Sequence, residues 1–255
     1  YMFRVIDANG CYYDESYTLH AEPNITISGL KLSDVLCQGD NTGAIQFTVS
    51  DFAGTYTPVL TSISGAGTLV QSGSTINLTD LVADTYTLEV TDDITGCTAV
   101  ATIEIFEPAD ALSIISATST HVFCTKDESQ ITVTATGGTP NYTYAALRVG
   151  DLTAPAYGNS AVVTVDTNSG VDLDWIIYVK DANGCDTQIP VTITEDPEPA
   201  VAVPALASNQ CNLTGTPYAF TITGSNGVPP LTYSIGTGYQ ASGTFTDLTP
   251  GTYIV

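Results

Sequence analysis

Ile45-Gln46-Phe47-Thr48-Val49-Ser50 decides the fold class. Apolar and polar side chains alternate with a period of two, the signature of a strand with one face buried and one wet. The same alternation returns as Ile131, Val133 and Ala135 set among threonines, and again as Tyr218, Phe220 and Ile222. Tyr86, Leu88 and Val90 make a later strand of the same kind. Proline, glycine and β-branched residues interrupt nearly every window in which a helix could form.

Between such strands lie tight turns. Asp7-Ala8-Asn9-Gly10-Cys11 recurs unchanged at Asp181-Ala182-Asn183-Gly184-Cys185, and a looser copy runs from Thr91 to Cys97. Asn-Gly accepts the positive φ that a hairpin turn requires. Other landmarks keep step with these turns. Cys37, Cys124 and Cys211 form one series, and Tyr1, Tyr86, Trp175 and Tyr253 form another. Gly138-Thr139-Pro140 answers to Gly227-Val228-Pro229. The period is about 85 to 89 residues, which marks a tandem repeat. About seven short strands per period, with regular turn signals, predict an all-β chain of immunoglobulin-like sandwiches. The Cys-Trp-Cys layout of antibody domains is missing.

Glu22-Pro23, Glu107-Pro108 and Glu195-Asp196-Pro197 follow the hairpin cysteines at similar distances and read as short, stiff linkers. They divide the chain into the tail of one repeat at 1–22, complete repeats at 23–107 and 108–196, and the beginning of another at 197–255. Joined end to end, such domains are expected to form an elongated rod, and both chain ends read as cuts within a longer repeat array. Neighbouring repeats of the same chain are thus the first expected partners.

Five basic residues against 27 acidic ones give a formal charge of −22, which opposes binding to nucleic acid or to an anionic membrane. No apolar run reaches the roughly 18 to 20 residues of a spanning helix, so no membrane insertion is expected of this segment. Only two histidines exist, His20 and His121, and neither recurs in register with an acid or nucleophile. No catalytic residues are expected, and the chain reads as non-enzymatic. Tyr142, Tyr144, Tyr233 and Tyr239 could form a glycan-binding platform, although alternating tyrosines more simply fill a sheet or core.

No cofactor is expected. For calcium, the candidate oxygen ligands are Asp7, Asp40, Asp92, Asp127 and Asp181, with Glu22, Glu107 and Glu195 in the linkers. Against that, aspartate also initiates turns through its own side chain, and no spacing matches a defined calcium loop.

Six cysteines without a Cys-x-x-Cys pair favour structural disulfides. In an immunoglobulin-like order, Cys37 and Cys97 lie at opposite poles of one sandwich, too far apart for the roughly 7 Å limit on Cα separation. Across a domain junction the poles face each other. The expected bond is therefore Cys37–Cys185, with Cys124 pairing beyond Val255 and Cys97 pairing upstream of Tyr1, while Cys11 and Cys211 belong to the same two series. The alternative is a Cys97–Cys124 bond, if Glu107-Pro108 turns a hairpin.

The segments VKDANGC (179–185), VFCTKDESQITVTATGG (122–138), GGTPNYTY (137–144) and LTPGTYIV (248–255) resemble the SprB-type repeat, related to PKD-like domains, of very large surface adhesins in gliding Bacteroidetes. The resemblance runs through the whole chain in register. It implies export to the cell surface by a type IX secretion route and a role in attachment, to polysaccharide or abiotic surfaces, and in gliding. It supplies no catalytic residues. DFAGTYTPVL (51–60) and NSGVDLDW (168–175) depart from its motifs. The rival reading is a string of accessory or glycan-binding modules from a secreted polysaccharide-degrading enzyme.

Overall fold

The computed structural model describes residues 1–18, 24–62, 67–202 and 218–255. His20, Glu22, Pro23 and Cys211 lie outside the described residues. The described residues contain strands and turns and no helix, and they divide into two compact units.

The first unit runs from Tyr1 to Leu112 and takes in Gly137–Thr139 and Asn183–Cys185. It opens with a hairpin of β1 (Met2–Ile6) and β2 (Tyr12–Ser16), every residue of which is exposed. Then follow β3 (Thr26–Ser33), β4 (Gly43–Ser50), β5 (Tyr56–Thr61), β6 (Thr68–Ser72), β7 (Thr75–Leu81), β8 (Asp84–Asp92) and β9 (Thr98–Ile105). Seven antiparallel strands form two sheets, β3-β4-β7-β6 and β5-β8-β9. Lettered A to G, these are the ABED and CFG sheets of an immunoglobulin-like sandwich.

The alternation read from the sequence places the core. Ile45, Phe47 and Val49 of β4 and Ile76 and Leu78 of β7 meet Tyr86, Leu88 and Val90 of β8, all at 0% exposure. Burying each such side chain contributes roughly 1.5–3 kcal/mol. The Phe47 ring needs room on its neighbouring strand, where it faces Gly29. A Cβ at that position would stand 2.8 Å from Phe47 Cε1 and 2.9 Å from Ile103 Cγ1.

The aromatic landmark of the repeat has a structural role. The Tyr86 hydroxyl, at the start of β8, donates back to Val82 O at 3.1 Å, and burial pushes its pKa up. This is the tyrosine corner that ties the E–F connection to strand F. Tyr253 makes the same bond to Thr249 O at 2.8 Å.

The second unit comprises 113–136, 140–182 and 186–255. Its strands are β10 (Ser113–Ser119), β11 (Glu128–Thr136), β12 (Thr143–Arg148), β13 (Val162–Asp166), β14 (Asp174–Lys180) and β15 (Asp186–Thr192). Short strands follow: β16 (Ala200–Val201), β17 (Tyr218–Thr221), β18 (Gly224–Ser225) and β19 (Thr244–Leu248). The sheets are β10-β11-β13 and β12-β14-β15, then the pairs β16-β18 and β17-β19. The larger two repeat the ABE and CFG orders around Ile131, Val133, Ala145, Val165, Ile177 and Val179.

Strand D, present as β6 in the first unit, has no counterpart between β12 and β13 among the described residues. Between β12 and β13 the chain instead bridges Gly158 to Tyr144, on the edge of the other sheet. Pro155, which lacks an amide donor, stands in that crossing. At the aromatic landmark, Trp175 replaces tyrosine and its indole Nε1–H donates to Asp172 O at 2.9 Å. The corner is thereby kept with a different donor, one residue closer in sequence.

Candidate functional site: a cystine held between a loop and a hairpin end

Nine residues, Asp34 to Thr42, connect β3 to β4, and their hydrogen bonds fix the loop at both ends. Asp34 Oδ1 accepts from the Phe106 amide at 2.9 Å and pairs with Lys31 Nζ at 2.8 Å. The Lys31 ammonium first, and the Phe106 amide second, hold the Asp34 carboxyl below the usual carboxylate range. The Val35 amide donates to Phe106 O and the Leu36 amide to Thr42 Oγ1. The Asp40 amide then closes a turn on Cys37 O at 3.0 Å.

The linker beyond β9 grips the same loop. Glu107 Oε2 accepts from the Gly39 amide at 2.6 Å, and Gln38 Nε2 donates to Ala109 O at 2.8 Å. The glutamate of a Glu-Pro step is thus a brace for the loop. Sequence reading placed Glu107 in a linker and missed this role, because its partner lies 68 residues away.

Cys37 is bonded to Cys185, with Cα atoms 5.7 Å apart, inside the ordinary range for a disulfide. This is the pair expected from the sequence. The end of the Asp-Ala-Asn-Gly-Cys turn reinforces the bond. Asn183 Nδ2 donates to Leu36 O at 3.0 Å and lies 2.9 Å from Thr139 Oγ1. Gly184 takes φ +91°, a left-handed conformation that a side chain would resist. Cys11, Cys97 and Cys124 are free thiols; Cys11 and Cys124 are exposed and Cys97 is half-buried.

Asp7 and Asp92 accept amide hydrogens at their turns. Asp7 Oδ1 accepts from the amides of Asn9 and Cys11, both at 2.9 Å. Asp92 continues the inward series of β8 and is 0% exposed. Its Oδ1 accepts from Ile94 N at 2.8 Å and Thr95 N at 3.0 Å, and its Oδ2 accepts from Ala53 N at 2.6 Å. These amides, Thr95's foremost and Ala53's next, hold its carboxyl below the usual range. Asp181 is likewise buried at 5% exposure, Asp40 is exposed, and Asp127 Oδ2 accepts from Ser169 Oγ at 3.3 Å. Among the described residues no three His, Cys, Asp or Glu side chains come together in a metal-holding group.

The four tyrosines considered for a platform divide. Tyr142, Tyr144 and Tyr233 are half-buried, and the Tyr233 hydroxyl accepts from the Gly224 amide at 3.2 Å. Tyr239 stands 81% exposed. His121 does have an acid partner, since its Nδ1 lies 2.8 Å from Asp196 Oδ1 on the surface.

The strand orders define tandem immunoglobulin-like sandwiches. Residues 116–146, from β10 through most of β12, match the sequence model of the SprB repeat. Among solved structures, the chain is similar to three immunoglobulin domains of titin, I67–I69, at 12% identity and a TM-score of 0.41, covering 91% of this chain and 87% of that one. It is similar to the three N-terminal domains of the Highly Immunogenic Outer Capsid protein of bacteriophage RB49, at 12% identity and a TM-score of 0.40, covering 81% and 70%. The N-terminal eight immunoglobulin domains of the Down Syndrome Cell Adhesion Molecule match at 11% identity and a TM-score of 0.40, covering 99% of this chain and 36% of that one. No curated protein matches the chain.

Proposed function

We propose that this chain is a non-catalytic segment of a large secreted, cell-surface repeat adhesin, a stalk that takes part in surface attachment and gliding motility. The observation that carries the reading is the SprB match at 116–146 within a chain whose landmarks recur at one period. The repeats are bounded near 22, 107 and 196, and the Cys37–Cys185 cystine suits an oxidising, extracellular location reached by type IX secretion. The −22 charge, spread over threonine-rich outer faces, suits a solvated spacer. Contact with polysaccharide or an abiotic surface is the expected adhesive role.

The test has two arms. The full coding sequence is expected to hold many more copies of the repeat; a single catalytic domain beside a few copies would support accessory modules of a polysaccharide-degrading enzyme instead. Antibodies against residues 113–202 are expected to label intact cells, and in-frame deletion of the repeats should reduce attachment. Unlabelled cells that attach normally would overturn the reading.

A further inference from the structure

Cys124 holds the place in its sandwich that Cys37 holds in the other. Each follows a first strand, β3 or β10, and precedes a second, β4 or β11. Cys11 and Cys97 hold the place of Cys185, since each closes an aspartate-initiated hairpin. The Asp7 amide donates to Cys11 O, and the Asp92 amide to Cys97 O, both at 2.9 Å. Residues 7–11 even repeat residues 181–185 letter for letter. The thiols therefore fall into two kinds, loop and hairpin, and the one formed bond shows how the kinds combine. A loop cysteine joins a hairpin cysteine lying 148 residues toward the C-terminus.

We propose that this rule is general along the polypeptide: Cys124 is bonded to a hairpin cysteine of a later repeat, about 148 residues on, and Cys97 to a loop cysteine the same distance upstream. A span of 148 residues exceeds the repeat period, so successive covalent loops overlap. Cys124 then lies inside the loop closed by Cys37 and Cys185 while opening the next one. The chemistry is thiol–disulfide exchange. One cysteine thiolate attacks an incoming disulfide of a protein or small-molecule oxidant, and the second thiolate displaces that oxidant from the mixed disulfide. Two protons leave the cysteines, and the oxidant departs reduced as two thiols.

The inference rests on the repeat reading proposed above, and one experiment separates their failures. The full-length polypeptide is alkylated without reduction, digested and mapped by mass spectrometry. The expected result is a Cys124 peptide bonded to a later hairpin peptide, and in a Cys124→Ser variant one newly alkylated thiol on that hairpin. Cys124 alkylated in the unreduced wild type, or bonded to Cys97 or Cys11, overturns the pairing while leaving the repeats in place. A coding sequence with later repeats but no later hairpin cysteine overturns the pairing alone, and one with no further copy of the repeat overturns the repeat reading and the pairing together.

Discussion

Asp92 shows how one residue serves both a turn and a core. Both of its carboxylate oxygens receive amide hydrogens, and one of these comes from Ala53, 39 residues away. Replacing Asp92 by asparagine keeps the shape but turns one acceptor into a donor, which must face an amide hydrogen. The Asp92→Asn protein is expected to melt several degrees lower at neutral pH, measured by calorimetry or circular dichroism. The sign of the pH effect follows from the lowered carboxyl pKa. Stabilisation by the carboxylate is fully present above its unfolded value, near 3.9, and is lost as pH falls through the lower folded value. The gap between wild type and variant should therefore shrink in acid; a gap that stays constant would remove the carboxylate from the account. From sequence, Asp92 reads as a turn former. Its burial was illegible, because it depends on a loop distant in the chain.

Strands β4 and β8 were legible because one face of each is apolar at every second residue, and packing them together leaves little choice of register. The missing D strand of the second unit was not legible. Residues 149–161 carry apolar side chains that a strand could use, and it is the bridge between Gly158 and Tyr144, with the Tyr157 ring under Lys180 of β14, that shows the chain going to the other sheet. Trp175 was legible as a landmark but not as a corner, since tryptophan donates from a different place than tyrosine does. Glycine inside β3 has its own reason. Gly29→Ala would push a methyl group into Phe47 and Ile103 and is expected to destabilise the first unit by about 1–3 kcal/mol in urea titrations. An unchanged midpoint would mean that the Phe47 ring moves aside freely.

At the scale of the whole molecule, charge and cysteine usage were readable as totals, and the Cys37–Cys185 pairing followed from strand order together with the short reach of a disulfide. The bracing role of Glu107 was not, because a linker carboxylate looks the same whether it binds a cation, an amide or water. Since amides occupy oxygens of Asp7, Asp92 and Glu107, we expect no calcium requirement. Melting temperatures in chelator and in millimolar calcium, at matched ionic strength, should agree within about a degree; a rise of several degrees with calcium would assign a site.

The bond between Cys37 and Cys185 also changes what a cut does. Proteolysis at any one peptide bond between them opens the backbone but releases nothing, because both pieces stay on the same covalent molecule until the cystine is reduced. A protein nicked once in that span keeps its size on a non-reducing gel, and the damage shows only when a reductant is added.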